Sequence, residues 1–329
     1  MSQSNRPGVR NIAKVTCVGG GVIGAGWAAH FMRAGLDVAV YDQAAERESY
    51  LRESLANAMP ALTELGMAPG ATPSRVFFTT DFEEALAGTD FIQESGPENI
   101  DTKISLLSKI DAHTPPDVVI ASSSSGFLSS KLRSGATKHP ERILVGHPFN
   151  PPYLIPLVEI AGGDAARRAA DHASAFYRST GCEVVELDRE IHGYIGNRIQ
   201  YAVLREVLYL MSQGVADLES IDRAIAAGPA IRWAVMGLSS ILFLGKSDPS
   251  LWGKFVESLG REMDRGYIAP ASFQPDQALL QKYAEQVAKG IGVNGQAELI
   301  ALRNAGVVGI RSELQRVRTR LAGSEHELG

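Results

Sequence analysis

The feature that most constrains this chain is the run Val15-Thr-Cys-Val-Gly19-Gly-Gly21-Val-Ile-Gly24, where an apolar stretch meets glycines spaced G-x-G-x-x-G and passes into a helical pattern. Each glycine has a task in a strand–turn–helix unit. Gly19 permits a tight turn, Gly21 lets a ligand approach the backbone, and Gly24 lets the helix pack against the strand. The helix N-terminus then offers free N–H groups and the positive end of a dipole, which suits a pyrophosphate. A glycine string alone is equally consistent with a bare strand-to-helix turn. Eighteen residues beyond Gly24, however, Asp42 closes the next apolar run, Val38-Ala-Val-Tyr-Asp42. A carboxylate there accepts hydrogen bonds from ribose hydroxyls and repels a 2′-phosphate. The residues that follow, Gln43, Ala44 and Ala45, bring no Arg or Lys. The two signals together predict a site for NAD rather than NADP, formed by Gly19, Gly21, Val22, Ile23, Gly24 and Asp42. A strand-end turn residue is the other reading of Asp42.

From residue 12 to about 187, short β-branched runs alternate with longer helical patterns, as βαβ units and a parallel sheet do. Strands are expected at 13–18, 37–41, 76–79, 91–94, 118–122, 143–146, 157–160 and 183–186. Helices are expected at 22–34, 45–65, 102–113 and 165–180, with a serine-rich loop over 123–130. After Asp188 the β-runs stop, and Ile195, Ile199, Ala202, Val203, Val207 and Leu210 recur at helical spacing. Helices follow at 194–211, 218–227, 239–244, 250–263, 275–287 and 297–320, broken at Gly228-Pro229 and Asp248-Pro249. The fold class is α/β: a Rossmann-type doubly wound domain over 1–188, then an all-α C-terminal domain over 189–329.

Composition narrows the partners. A chain of 329 residues has room for about two domains. Its 32 Lys and Arg against 37 Asp and Glu give a net charge of -5, which is no footprint for nucleic acid or an anionic membrane. The longest apolar stretch, 230–245, contains Arg232 and is shorter than the ~20 residues that span a bilayer. Met1 to Arg10 is polar, unlike a signal peptide. Cys17 and Cys182 each lie in apolar surroundings, which predicts buried thiols rather than a disulfide. His30, His113, His139, His172, His192 and His326 show no metal-ligand spacing. A small-molecule partner, no metal and a cytoplasmic location are expected.

In the segment running from Gly146-His147-Pro148 to Leu157-Val158-Glu159, a histidine leaves one expected strand and a glutamate sits within the next. Pro148, Pro151, Pro152 and Pro156 stiffen the connection by fixing φ. Neighbouring strands would bring the two side chains together as a general base and its orienting carboxylate. A histidine with a purely structural task is the alternative.

Other segments occur in order around that pair: Glu94 and Glu98-Asn99 followed by Lys103, then Ala121-Ser122-Ser123-Ser124-Ser125, then Gly193-Tyr-Ile-Gly-Asn197-Arg198. With these motifs, over roughly residues 14–237, the chain resembles the L-3-hydroxyacyl-CoA dehydrogenase family. Within it, the chain is most similar to the branch of L-carnitine dehydrogenase and L-gulonate 3-dehydrogenase (lambda-crystallin). The resemblance implies reversible, NAD-dependent oxidation of a 3-hydroxyl to a 3-oxo group. It makes His147 the base and Glu159 its partner, has Ser125 and Asn197 hold the substrate oxygen, and puts Glu98 and Lys103 near the nicotinamide half. It also implies a homodimer paired through the second domain. Ser123-Ser124 departs from the Asn-Thr common in the acyl-CoA enzymes, which leaves Ser125 the less firmly matched of the two donors.

Two features set this chain apart from enzymes of CoA thioesters. Residues 44–74 contain no lysine, only Arg47 and Arg52, with Arg75 just beyond, whereas the resembling acyl-CoA enzymes carry lysines there that meet the CoA phosphates. A charged helix over 296–321 also replaces their Gly-Phe-Tyr ending. The pair Arg232-Trp233 is similar to the carnitine and gulonate enzymes. Arg232 offers a planar fork to a free carboxylate, and Trp233, Trp252, Phe149 or Tyr153 could face a quaternary ammonium. The expected substrate is a small free 3-hydroxy acid of the L-carnitine or L-gulonate type, bound by Ser125, Asn197, Arg232 and Trp233. The alternatives are a 3-hydroxyacyl-CoA substrate such as 3-hydroxybutyryl-CoA, and an NAD-binding, crystallin-like structural protein without turnover. An ion pair at an interface is the other reading of Arg232.

Overall fold

The computed structural model describes residues 12–244 and 268–325, together with Ser258, Arg261, Arg265 and Gly266. Trp252 and all but two residues of the helix expected at 250–263 lie outside the described residues. The chain divides into two compact units, Met1–Asn197 and Arg198–Gly329.

The first unit is built on eight strands: β1 (Lys14–Val18), β2 (Asp37–Tyr41), β3 (Val76–Thr79), β4 (Phe91–Glu94), β5 (Val119–Ser122), β6 (Ile143–Pro148), β7 (Leu157–Ala161) and β8 (Glu183–Glu186). They form one sheet of order β3-β2-β1-β4-β5-β6-β7-β8. Every neighbouring pair is parallel except β6 and β7. Central strands covered on both faces carry unbroken apolar runs rather than alternation, and β4, β5 and β6 are accordingly buried along their whole length.

Helices α1 (Val22–Arg33), α2 (Arg47–Glu64), α3 (Phe82–Leu86), α4 (Ile100–His113), α5 (Ser129–Leu132) and α6 (Arg167–Ser179) belong to this unit. Two apolar clusters pack in it. Trp27, Phe31, Phe91, Phe176 and Tyr177 form the aromatic part of one, and Ile92, Leu107, Ile110, Ile120, Val145 and Tyr194 centre the other. Phe91 and Ile92 are adjacent, so the alternation of a strand sends them to opposite faces. Both cysteines are free and buried, Cys17 within β1 and Cys182 just before β8.

Several elements depart from expectation. β6 runs to Pro148 rather than ending at Gly146, because its ladder with β7 continues through His147. Helix α3 has five residues, too few to show a helical period, and is set by Asp81, which accepts from the amides of Glu83 and Glu84. Helix α5 takes up the end of the expected serine loop. Pro229, expected only as a break, begins a helix, the one place where a residue without an N–H costs nothing.

The second unit takes over within α7 (Gly196–Ser212) and contains α8 (Leu218–Ala227), α9 (Pro229–Val235), α10 (Leu238–Leu244), α11 (Gln277–Asn294) and α12 (Gln296–Glu325). Val207, Met211, Leu218 and Ile221 form its core with Leu279, Tyr283 and Val287. Asp217 caps α8 by accepting from the Ser220 amide. No described helix is long and apolar enough to cross a membrane.

A buried ion pair locks the far side of the first unit. Arg142 donates to the Asp111 carboxylate at 3.0 and 2.9 Å and to the carbonyls of Asp111, Thr114, Pro115 and Val118. Burial pushes the Asp111 carboxyl up, but the His139 and Lys138 amides and the Arg142 guanidinium outweigh it and hold it below the usual carboxylate range. Removing one partner of such a pair strands the other, so Arg142→Met should lose about 3–5 kcal/mol in urea unfolding near neutral pH. Because Asp111 is depressed in the folded state, its contribution is present above pH ~4 and is lost as pH falls through the native value. The gap between Arg142→Met and the parent should therefore narrow on acidification.

Candidate active site

His147 and Glu159 are register partners across the antiparallel β6–β7 pair, which puts both side chains on one face. The Nδ1 atom of His147 lies 2.9 Å from Glu159 Oε2, and the residues are only 4% and 1% exposed. The second carboxylate oxygen, Oε1, accepts from the amides of Ile195 at 2.9 Å and Gly196 at 3.0 Å, where α7 begins. Burial pushes the Glu159 carboxyl up, but the His147 hydrogen bond and those two amides outweigh it and hold it below its ordinary value. Glu159 is thus an anion that accepts a hydrogen bond from the Nδ1 proton, which leaves Nε2 as the ring nitrogen turned away from it. Nε2 has no hydrogen-bond partner among the described residues.

Close packing sets this pair. A Cβ on Gly196 would lie 2.3 Å from the Phe149 ring, so any side chain here would displace that ring from beside the imidazole. The rings of Phe149 and Tyr194 stand 5.3 and 5.0 Å from the imidazole. Tyr194 has no role in the sequence-based reading, yet it is 1% exposed and donates to the Phe127 carbonyl at 2.7 Å. It adopts φ of 50°, a left-handed conformation rare for a residue with a side chain. The adjoining Gly193 is the only local sign of such a turn.

The remaining expected residues of the first unit form one connected set. Asn197 Nδ2 donates to the Ser125 carbonyl at 2.9 Å. The Ser125 amide and hydroxyl donate to Glu98 Oε1 at 2.8 and 3.1 Å, and the Ser124 hydroxyl joins them at 2.8 Å. Lys103 Nζ lies 3.5 Å from Glu98 Oε2. Lys103 is itself buried, and its ammonium is held by Glu94 at 2.9 and 3.1 Å and by the Gly96 carbonyl at 3.2 Å. Glu94, assigned no role from sequence, also accepts from the Gly96 amide at 2.6 Å and from the Ser122 hydroxyl. This buried carboxylate ties β4, β5 and α4 together.

The glycine turn is shaped as a cradle. Gly19 adopts φ of 111°, and a Cβ there would lie 2.5 Å from the Ser95 carbonyl oxygen. A Cβ on Gly24 would lie 1.8 Å from the Gly19 carbonyl oxygen, whereas one on Gly21 would meet nothing within 4 Å. Gly21 therefore faces space that a ligand can enter. Asp42 Oδ2 accepts from the Gly20 amide at 2.8 Å and Oδ1 from the Ala44 amide at 3.0 Å, so Asp42 braces the turn while keeping lone pairs for a sugar. Val22 and Ile23 open α1, Val22 being exposed. Below the turn is a cleft of about 540 Å³ bounded by Gly19, Tyr41, Asp42, Pro97, Thr102 and Lys109. This cradle, carboxylate and cleft fit NAD. A Cβ on Gly26 would lie 2.6 Å from Pro152 Cδ, so α1 also packs against the link between β6 and β7.

In the second unit, Arg232 and Trp233 lie on α9. Arg232 is exposed, with no ion-pair or hydrogen-bond partner among the described residues, and Trp233 is about one-third exposed. Among the described residues, no group of three or more His, Cys, Asp or Glu is arranged to hold a metal ion.

The family model for the 3-hydroxyacyl-CoA dehydrogenase NAD binding domain matches residues 14–191, and that for the C-terminal domain matches residues 193–251. The L-carnitine dehydrogenase of Nocardiopsis dassonvillei is 40% identical over 318 residues, covering 96% of each chain. That of Pseudomonas aeruginosa is 38% identical, covering 95% of this chain and 97% of its own. Among solved structures, 5-formyl-3-hydroxy-2-methylpyridine 4-carboxylic acid 5-dehydrogenase, an NAD+-dependent dismutase, superposes with a TM-score of 0.78 at 27% identity, over 92% of this chain and 99% of its own. Fold, cradle and matches define an NAD-dependent oxidoreductase acting on a CH–OH group. The chain belongs to the 3-hydroxyacyl-CoA dehydrogenase family.

Glu159→Gln tests the pairing that organises this site. An amide can accept on one side only, so one of the three donors facing Glu159 would lose its acceptor, with a loss of about 1–3 kcal/mol in urea unfolding at neutral pH. Since Glu159 is depressed in the fold, its contribution is present above pH ~4.3 and disappears as pH falls through the native value. The variant should lack that part of the acid limb.

Proposed function

We propose that this chain oxidises a small free L-3-hydroxy acid to the 3-oxo acid, reversibly, with L-carnitine or L-gulonate as the type of substrate. The observation that carries this reading is the buried His147–Glu159 pair, whose Nε2 atom has no hydrogen-bond partner among the described residues. NAD held by Gly19, Gly21, Val22, Ile23, Gly24 and Asp42 supplies the hydride acceptor. His147 Nε2 takes the proton of the substrate hydroxyl during oxidation and returns it during reduction. Glu159 keeps the ring in one tautomer and stabilises the imidazolium that forms. Asn197, with its second Nδ2 hydrogen, and Ser125, on exchanging its Glu98 acceptor for the ligand, hold the substrate oxygen so that its carbon is presented in one orientation, which is as much an entropic as an electrostatic contribution. Glu98 and Lys103 order the loop on the nicotinamide side.

Arg232 binds the free carboxylate through its planar fork, and Trp233 offers a ring face to a quaternary ammonium. The exposure of Arg232 supports this assignment, as does the identity of about 40% with L-carnitine dehydrogenases over nearly the full chain. The lack of lysine over 44–74 favours a free acid over a CoA thioester. We further propose a cytoplasmic homodimer paired through the helical region 189–329. Exposed Ile231, Val235, Leu238, Leu302 and Ile310 support that pairing.

A steady-state assay with NAD should show L-carnitine or L-gulonate turning over with higher kcat/KM than 3-hydroxybutyryl-CoA. The reverse ranking would overturn the free-acid reading, and NAD binding without turnover of any substrate would favour a structural protein. His147→Gln should lower kcat by about 10²–10⁴-fold, the usual contribution of a positioned base, with NAD affinity nearly unchanged. A collapse of NAD binding would make His147 structural instead.

A further inference from the structure

We infer that the Ser95 hydroxyl is a hydrogen-bond donor to the nicotinamide-side phosphate and ribose of the bound dinucleotide, the half that lies across β1 from Asp42 and that AMP lacks, directed there by a buried chain of donors that saturates its inward side. The inference rests on the NAD-dependent reading above and adds a binding residue to it. It follows from counting protons.

The chain starts at Gln93, whose side chain is fully buried on β4. Its Nε2 lies 3.4 Å from the Gly146 carbonyl oxygen. The reversed amide would press two acceptors together, so Oε1 must face Tyr177, whose hydroxyl donates to it. The remaining Nε2 hydrogen goes to Ser123 Oγ at 2.8 Å. Trp27 Nε1, which can only donate, also reaches Ser123 Oγ, at 3.2 Å. A hydroxyl oxygen accepts two hydrogen bonds and donates one. Ser123 is therefore filled as an acceptor, and its own proton goes to Ser95 Oγ at 2.9 Å.

Ser95 accepts that proton and keeps its own. Its hydroxyl has no further partner among the described residues, and the residue is half-buried at the carboxyl end of β4. It also flanks the glycine cradle. Its carbonyl oxygen is what a Cβ on Gly19 would strike, and its own Cβ lies 3.6 Å from the Cβ position of Gly24. A proton at this point suits a phosphate oxygen or a ribose hydroxyl.

The test is calorimetric titration of the full chain and its Ser95→Ala variant with NAD, ADP-ribose and AMP. One hydrogen bond to a phosphate or sugar corresponds to a loss on the order of tenfold. The variant should bind NAD and ADP-ribose about tenfold more weakly and AMP as the parent does. Unchanged NAD and ADP-ribose affinity would overturn the assignment, because the proton would not meet the ligand. An equal loss for AMP would overturn it too, since the defect would then be a general distortion of the cradle. A parent chain that binds neither NAD nor ADP-ribose would sink the cofactor reading itself and this assignment with it.

Discussion

One carboxylate organises the chemistry of the first unit. Glu159 uses one oxygen to hold the His147 ring and the other to receive the amides where α7 begins, so it orients the proposed base and anchors the helix that carries Asn197. Burying a carboxylate costs several kcal/mol unless the surroundings compensate, and here three donors do so. The same donors keep the group ionised, which in turn keeps a proton on Nδ1 and leaves Nε2 turned away from it. Stability and, in the proposed reaction, reactivity therefore depend on the same three hydrogen bonds.

The carboxyl ends of β4 and β5 follow the same logic. Glu94 gathers Lys103, Ser122 and the Gly96 amide, while Gln93 gathers Tyr177 and Ser123. Adjacent residues of one strand point to opposite faces, so these two neighbours feed two separate polar networks on the two sides of the sheet. Each network satisfies its buried members, which is the condition under which polar groups in a low dielectric rigidify a site rather than weaken it. The glycine turn rests on this layer through Ser95, and α1 rests on the β6–β7 link through Gly26.

Much of this was legible in the chain itself. The bounds of β2, β3, β4 and β8 match those expected: the first three are largely buried, whereas β8 is mostly exposed and is marked only by its β-branched pair Val184-Val185. His147 and Glu159 could be paired because four prolines restrict the link between their strands. Short elements such as α3 and α5 escaped because they complete barely one turn and leave no period. Tyr194 and Glu94 escaped for a different reason. Nothing nearby in sequence marks a tyrosine as lying against a histidine or a strand glutamate as a ligand for a lysine, and their partners stand on other elements.

The sequence by itself determined the alternation of strands and helices, the glycine turn with its closing Asp42, the end of the β-runs before residue 188 and the membership of a dehydrogenase family. Those signals are local, because period, turn chemistry and motif spacing act over a few residues. The tertiary structure alone decided that β6 continues through His147, that Glu159 is shared between a ring and a helix start, that Lys103 is buried on Glu94, and which way the protons run from Tyr177 to Ser95. Each of these depends on groups far apart in the chain meeting at hydrogen-bond distance. Only packing fixes such meetings, because an unsatisfied buried donor or acceptor costs more than any local preference can offset.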